Sequence, residues 1–267
     1  MSLAALGRKI GWYGWRRDAP DFRDKWLEDT FGFGLAPFRE GGVPYAMLPR
    51  IINQGQQGSC TGHGMRTIGM TERALSGQKS VELSPRFPYW CGRVLEGTTG
   101  QDAGCSIRSV VRGATKFGLA DLTTCPYDQN DWRTRPSADA YKEATTDLPI
   151  AYYRMPQTMS ALSGALSKRH PIIFGFTVYE NFESDEVTNT GIMPLPQGDD
   201  VGGHCVVAVY KSDSRQAVLC ANSWNVDWGC PHPEERDSKK RGYFWMPYRV
   251  FFDKNQASDH WVITKIT

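Results

Sequence analysis

Three glycines within one helix-length stretch constrain this chain more than any other feature. From Cys60 to about Leu75 the apolar residues Met65, Ile68 and Leu75 recur on or near one helical face. Gly62, Gly64 and Gly69 interrupt it, each weakening an isolated helix by ~1 kcal/mol relative to Ala. Such a helix survives only where packing holds it, with another backbone pressed close. A central helix wedged between two layers satisfies that requirement. Its start is equally telling: in Asn53-Gln54-Gly55-Gln56-Gln57-Gly58-Ser59-Cys60 a Gly-rich loop runs into the helix, with Ser59 at the N-cap and Cys60 in the first turn. Unpaired N–H groups and the positive end of the helix dipole favour thiolate over thiol there. Gln54 stands close enough in sequence to bring a side-chain amide back over the sulfur. Two readings remain open at this point, a nucleophile in its cradle and a buried structural cysteine.

Charge and composition exclude several classes. Lys and Arg number 31 against 29 Asp and Glu, with no basic stripe, acidic tail or charge block, so nucleic acid and anionic membranes are not expected partners. The most apolar runs, Pro171–Phe176 and Cys205–Tyr210, are strand-sized and too short to span a membrane. The first residues hold no apolar core of signal-peptide length. Seven cysteines, an odd number without a secretion signal, read as thiols in a reducing compartment. The expected location is therefore a reducing one, such as the cytoplasm. No Cys-x-x-Cys pair, His-Glu-x-x-His run or phosphate-binding Gly loop is present, so neither metal nor cofactor is expected.

Taken in order, residues 1–40 form a separate extension, rich in aromatic and basic residues around Trp12-Tyr13-Gly14-Trp15-Arg16-Arg17 and punctuated by Gly32, Gly34 and Pro37. Three aromatics in four residues do not stay solvated, so the extension is expected to pack on the body. It is either a stabilising surface wrap or a latch over a cleft. Residues 41–267 form the main domain. Its first part, to about 140, reads as helical, with a second short helix capped by Ser84 and a third over Ser106–Lys116. From about 141 the pattern turns to strands: Ile150–Arg154, Pro171–Tyr179, Cys205–Tyr210, Ala217–Ala221, Gly242–Met246 and Trp261–Lys265, with one helix over Thr158–Lys168. The acidic run from Glu180 to Glu186 reads as a solvated loop. The class is α+β.

A thiol nucleophile needs a base and a group that orients the base. Of five histidines, His63 lies on the same helix as Cys60 without facing it, and His170 reads as surface. His232 and His260 read as loop residues among charges. His204 stands at the mouth of the apolar strand Cys205–Tyr210, held rigidly and open at one end. The strand Ala217–Ala221 ends in Asn222-Ser223-Trp224. Pairing these strands would set the Asn222 carbonyl beside the His204 ring, with Trp224 shielding the bond from water. A packed core histidine and a plain turn asparagine are the alternatives.

Together these motifs resemble the papain-like cysteine peptidases: Gln54…Gly58-Ser59-Cys60, Gly203-His204, Asn222-Ser223-Trp224 and Trp228-Gly229. The separation of Cys60 from His204 falls in the range of roughly 130–150 residues associated with that layout, and Asn222 lies a little beyond it. Asp102-Ala103-Gly104-Cys105-Ser106-Ile107-Arg108, Phe174–Tyr179 and Gly242–Pro247 are similar to its bacterial and bacteriophage branch, which implies a cytoplasmic or virion-associated setting. The resemblance implies a two-lobed papain-like fold, with a helical first lobe whose central helix bears Cys60 and an antiparallel, β-barrel-like second lobe. It implies Cys60 as nucleophile, His204 as base, Asn222 as orienter, and Gln54 as oxyanion donor with the Cys60 N–H. A thiolate–imidazolium pair would attack a peptide bond and pass through a thioester. Gly104 and Cys105 would pair with substrate main chain, Ile107 would line the main pocket, and Gly203 and Trp224 would flank the substrate.

Two departures from the family stand out near the site. Thr61 replaces an aromatic, and Cys105 replaces a glycine and is expected to narrow the cleft. The expected partner is a protein or peptide substrate. Rival readings are a peptidase or amidase of peptidoglycan cross-bridges and a non-catalytic virion or scaffold module.

Overall fold

The computed structural model describes residues 13–27, 39–78, 81–146 and 149–266. Trp12 and the Gly32, Gly34 and Pro37 punctuation lie outside them. In chain order the regular elements begin with β1 (Trp15–Arg16), β2 (Glu40–Gly42), α1 (Cys60–Leu75), α2 (Arg86–Glu96), β3 (Cys105–Ser106) and α3 (Ile107–Phe117). Next come α4 (Ala138–Ala144), β4 (Pro149–Arg154), α5 (Met159–Ser167), β5 (Ile172–Tyr179) and α6 (Asp185–Thr190). The chain ends with β6 (Asp200–Ser212), β7 (Ala217–Ala221), β8 (Tyr243–Pro247), α7 (Tyr248–Phe251) and β9 (Ala257–Ile266).

Side-chain chemistry sets most of the helix starts. Ser106, Ser137, Thr158 and Ser184 each accept the backbone N–H three residues on, at the N-caps of α3, α4, α5 and α6. Ser184 is why the acidic run is not the loop its charge suggested: Glu180–Glu183 is a 3-10 turn, and Asp185 and Glu186 occupy the favoured first turn of α6. Pro85, rather than Ser84, is the residue before α2.

The main sheet has seven strands, with path β4-β9-β5-β6-β7-β8 and β2 added alongside β6. Every ladder in it is antiparallel. Its inner strands are buried on both faces, which explains their almost unbroken apolar runs. Ile173, Cys205, Val207 and Ile263 join Met65, Ile68 and Val110 in one core beneath α1 and α3. The alternate residues Phe174, Phe176, Val206, Val218 and Phe244 build a second core with Leu162, Leu166 and Trp228 on the other face. Two of the three glycines of α1 answer to close neighbours. A Cβ on Gly62 would stand 2.2 Å from the Pro85 carbonyl oxygen, and one on Gly64 would strike the Ile173 side chain at 2.7 Å. The central helix is thus held between α2 and the sheet.

The N-terminal segment packs on the body. Its β1 pairs in parallel with β3, Trp15 opposite Cys105 and Arg16 opposite Ser106. The ring of Trp15 lies 7% exposed within the first core.

Candidate active site

Cys60 opens α1 and is fully buried. Ser59 occupies the N-cap position but makes no capping bond, its hydroxyl lying 2.8 Å from Tyr127 Oη instead. The backbone N–H groups of Cys205 and Gly14 reach the Cys60 sulfur and favour thiolate, yet burial outweighs them and pushes the thiol up to about 11. This corrects the expectation of a depressed value. The N-terminal segment is part of that surrounding, since the Gly14 N–H is one of the groups on the sulfur.

The strand that carries Cys205 to the thiol carries His204 next to it. His204 Nε2 lies 2.8 Å from Asn222 Oδ1, and Ser223 N–H donates to the same Oδ1 at 2.8 Å. A backbone N–H can only donate, so the shared atom is the amide oxygen and His204 Nε2 carries the ring proton. Nδ1 keeps the lone pair. Trp224 stacks on the His204 ring at 4.8 Å between centroids and 26° between planes, a dry cover on the imidazole–carboxamide bond.

Gln54 is fully buried and tied on several sides. Its Nε2 donates to Gln57 O at 2.9 Å, its Oε1 accepts from Ser223 Oγ at 2.5 Å, and its backbone N–H donates to Ser223 O at 2.8 Å. The Gln54 loop and the Asn222-Ser223-Trp224 loop are therefore one hydrogen-bonded unit. Across the cleft, Asp102 accepts from Gly58 N–H at 3.0 Å and from Tyr89 Oη at 2.5 Å, while Tyr89 Oη accepts from Gly104 N–H at 3.2 Å.

Gly104 and Cys105 lie at that rim, and their partner is the chain itself. Cys105 N–H donates to Gly14 O at 2.6 Å, and a Cβ on Gly104 (φ +67°) would meet the same oxygen at 2.1 Å. The Cys105 sulfur points to α2, where a Cβ on Gly92 would come within 2.6 Å of it, so Cys105 does not narrow the cleft. Ile107 is buried in the core shared by Cys60 and Trp15. Gly203 borders Trp15, whose carbonyl oxygen a Cβ there would meet at 2.4 Å. A Cβ on Gly175 would stand 2.0 Å from the Trp15 indole. The glycines of β5 and β6 thus shape a slot filled by Trp15.

Sequence reasoning missed the ion network that fastens this segment. Asp18 accepts from Arg108 N–H at 3.0 Å, Trp261 Nε1 at 2.9 Å and Arg154 Nη2 at 2.9 Å. Asp24 pairs with both Arg108 (2.5 Å) and Arg154 (2.6 Å). Asp259 accepts from Asp18 N–H at 2.7 Å and Trp15 Nε1 at 3.2 Å. Burial and then the neighbouring Asp259 push Asp18 up to about 6, against the pull of its hydrogen bonds and Arg154. The available signal was the run of carboxylates Asp18, Asp21 and Asp24, spaced three apart among aromatic and basic residues.

The other histidines sort differently from their sequence reading. His260 lies on β9, 2% exposed and stacked on Phe174 at 4.8 Å, and so is not a loop residue; His232 does stand in a loop beside Glu234, but its ring is buried against Tyr45. His170 pairs with Glu72 at 3.2 Å. All seven cysteines are free thiols. Among the described residues no group of His, Cys, Asp or Glu side chains is arranged to hold a metal ion, and no helix is long and apolar enough to cross a membrane.

A thiol at the start of a packed helix, beside a strand whose imidazole is held by a carboxamide, defines the layout of a thiol hydrolase. Residues 40–246 match the papain family of cysteine proteases, and the chain belongs to that family. It is a papain-like cysteine peptidase. A peptidase C1-like protein of Acanthamoeba polyphaga mimivirus is 33% identical over 81% of this chain and 70% of its own length. Xylellain, a cysteine protease from Xylella fastidiosa, superposes with a TM-score of 0.84 at 27% identity, over 97% of this chain and 98% of its own. The digestive procathepsin L 3 of Tenebrio molitor shares the fold with a TM-score of 0.68 at 16% identity, over 99% of this chain and 80% of its own.

Proposed function

We propose that this chain is a thiol endopeptidase whose own N-terminal segment holds it closed. The division follows the extension (1–40) and the peptidase domain (41–267), with its helical part to about 140 and its β part beyond. With the segment withdrawn, water returns to the cleft and the burial that raises the Cys60 thiol is relieved. Cys60 then gives its proton to His204 Nδ1, the imidazolium being steadied by Asn222 through Nε2–H. The thiolate adds to the scissile carbonyl, and the Cys60 N–H and the Gln54 amide hold the oxyanion. His204 returns the proton to the leaving amine, leaving a thioester. Water, deprotonated by His204, hydrolyses it and restores the thiol. Substrate main chain would take the place of Gly14–Arg16 along Gly104 and Cys105, with Gly203 and Trp224 to either side and Ile107 beneath the pocket.

The observation that carries this reading is the 2.8 Å bond from His204 to Asn222 on the strand whose Cys205 N–H reaches the Cys60 sulfur. The latch reading is supported by Gly14, which sits on the thiol, and by Tyr13, whose hydroxyl bonds Glu183 and whose ring meets His204 edge-on at 6.0 Å. Likeness to a protease of Xylella fastidiosa supports a bacterial branch, and likeness to a mimivirus peptidase-like protein supports a viral one; the setting we assign is cytoplasmic or virion-associated. The test is a fluorogenic peptide assay, with a thiol-reactive epoxide as label, on the full chain and on Trp15→Ala/Asp18→Ala. Cleavage and labelling should rise in the latter and vanish when Cys60→Ala is added. Undiminished cleavage without the thiol would end the proposal.

A further inference from the structure

The two donors assigned to the oxyanion come from different pieces of backbone. The Gln54 amide is on a loop, the Cys60 N–H is at the start of α1, and between them run Gly55 to Ser59, with Gly55 at φ +62°. A linker with two glycines does not hold two donors at a fixed spacing by itself. One hydroxyl bridges them. Tyr127 Oη donates to the Gln54 carbonyl oxygen at 2.7 Å and lies 2.8 Å from Ser59 Oγ. The carbonyl only accepts, so the single phenolic proton is committed to Gln54, and Ser59 must donate to Tyr127. The direction of the whole relay, Ser59 to Tyr127 to Gln54, is therefore determined. Ser59 makes no cap on α1, and its hydroxyl proton goes to this relay.

The phenol is itself held. Its ring meets the His63 ring edge-on, at 4.8 Å and 89°. His63 Nδ1 lies 3.1 Å from Ser59 O, and burial pulls His63 down to about 3, so its neutral ring donates to that carbonyl. Gln54 is thus tied through its N–H to Ser223 and through its C=O to Tyr127.

We propose that Tyr127 is a positioning residue for the oxyanion donors, and that its hydroxyl rather than its ring does the work. The proposal rests on the thiol-peptidase reading above. Losing the hydroxyl leaves the Gln54 carbonyl and Ser59 without their shared partner and lets the loop and the helix start drift apart. Acyl transfer suffers because it builds charge on the oxyanion. Alkylation of the thiol does not, because it builds none.

The experiment uses the full chain carrying Trp15→Ala/Asp18→Ala, with and without Tyr127→Phe. Peptide cleavage should show kcat reduced by about 10- to 100-fold, below the ~100- to 1000-fold for losing a donor outright, with KM within about twofold. The rate of Cys60 alkylation by iodoacetamide and the apparent pKa of kcat/KM should not move. Ser59→Ala should reproduce the same split, and it serves if Tyr127→Phe folds poorly. Unchanged kcat, or alkylation slowed in step with cleavage, would overturn the positioning role. If the parent alkylates normally yet cleaves no peptide, the peptidase reading fails and takes this inference with it.

Discussion

The Trp15 indole N–H donates to Asp259 Oδ2 at 3.2 Å, joining a residue near the start of the chain to one near its end. The same Asp259 oxygen accepts the Asp18 N–H at 2.7 Å. Two donors from the N-terminal segment thus converge on one carboxylate of the body, and Gly14, one residue before the indole, lies over the thiol. In the proposed latch, closure of the site depends on how firmly that short stretch is seated.

Gly14 offers the narrowest test of seating. A Cβ there would stand 1.8 Å from the Gly58 carbonyl oxygen, a backbone atom that cannot step aside. Gly14→Ala should unseat the segment without altering any residue of the peptidase domain. Epoxide labelling of Cys60 should rise by at least about tenfold, measured by intact mass against time. An unchanged rate would mean that the segment does not limit access.

Acid should tighten the latch. Closed, Asp18 sits near 6 because it is buried beside Asp259; released into water it returns to its ordinary value near 3.8. The closed form therefore binds the extra proton. Its contribution to closure is fully present below about 4 and is lost as pH rises through 6. Arg154, Arg108 and Trp261 face the same carboxyl and oppose the shift without cancelling it. Labelling of the full chain should accelerate from pH 5 to pH 7 more steeply than labelling of Asp18→Asn. Parallel profiles would contradict the linkage.

Gln54 and Asn222 should separate in their effects. Gln54→Ala removes an oxyanion donor and should cost about 3–4 kcal/mol of barrier, with KM little changed. Asn222→Ala frees the imidazole to rotate and should lower kcat and thiolate reactivity together, by roughly 10- to 100-fold. Stopped-time assays at several pH values, in the latch-released background, distinguish the two.

Stability should depend most on the second core. Phe174 is fully buried, stacked on His260 and edge-on to Phe251 at 5.0 Å. Phe174→Ala should cost about 3–5 kcal/mol, read as a lower denaturant midpoint in a Cys60→Ala chain that cannot digest itself. A loss under 1 kcal/mol would show that this part of the sheet is not load-sharing.

Much of the architecture was legible because it is written locally. Apolar runs marked β5 and β7 within a residue but only the middle of β6, which begins five residues earlier at Asp200 and so includes His204, and Ser106 and Thr158 marked helix starts. Two features were not read from charge alone, one turning on a local cap and the other on neighbours distant in the chain. The acidic run folded into a turn and a short helix because Ser184 caps it and Val187 is buried under it. His260 looked like a loop residue because its charged sequence neighbours hide the strand partner and the Phe174 ring that bury it.

The order Gln54, Cys60, His204, Asn222 and the residue types at each place were set by sequence alone, since chemistry of that kind demands those groups. Whether the thiol is charged was not, because ionisation follows water, and water follows what lies on top. Only the folded chain lays Gly14 over Cys60, seats the Trp15 indole against two glycines and buries Asp18 beside Asp259. Each of those contacts joins residues far apart in the chain, and no local pattern encodes them.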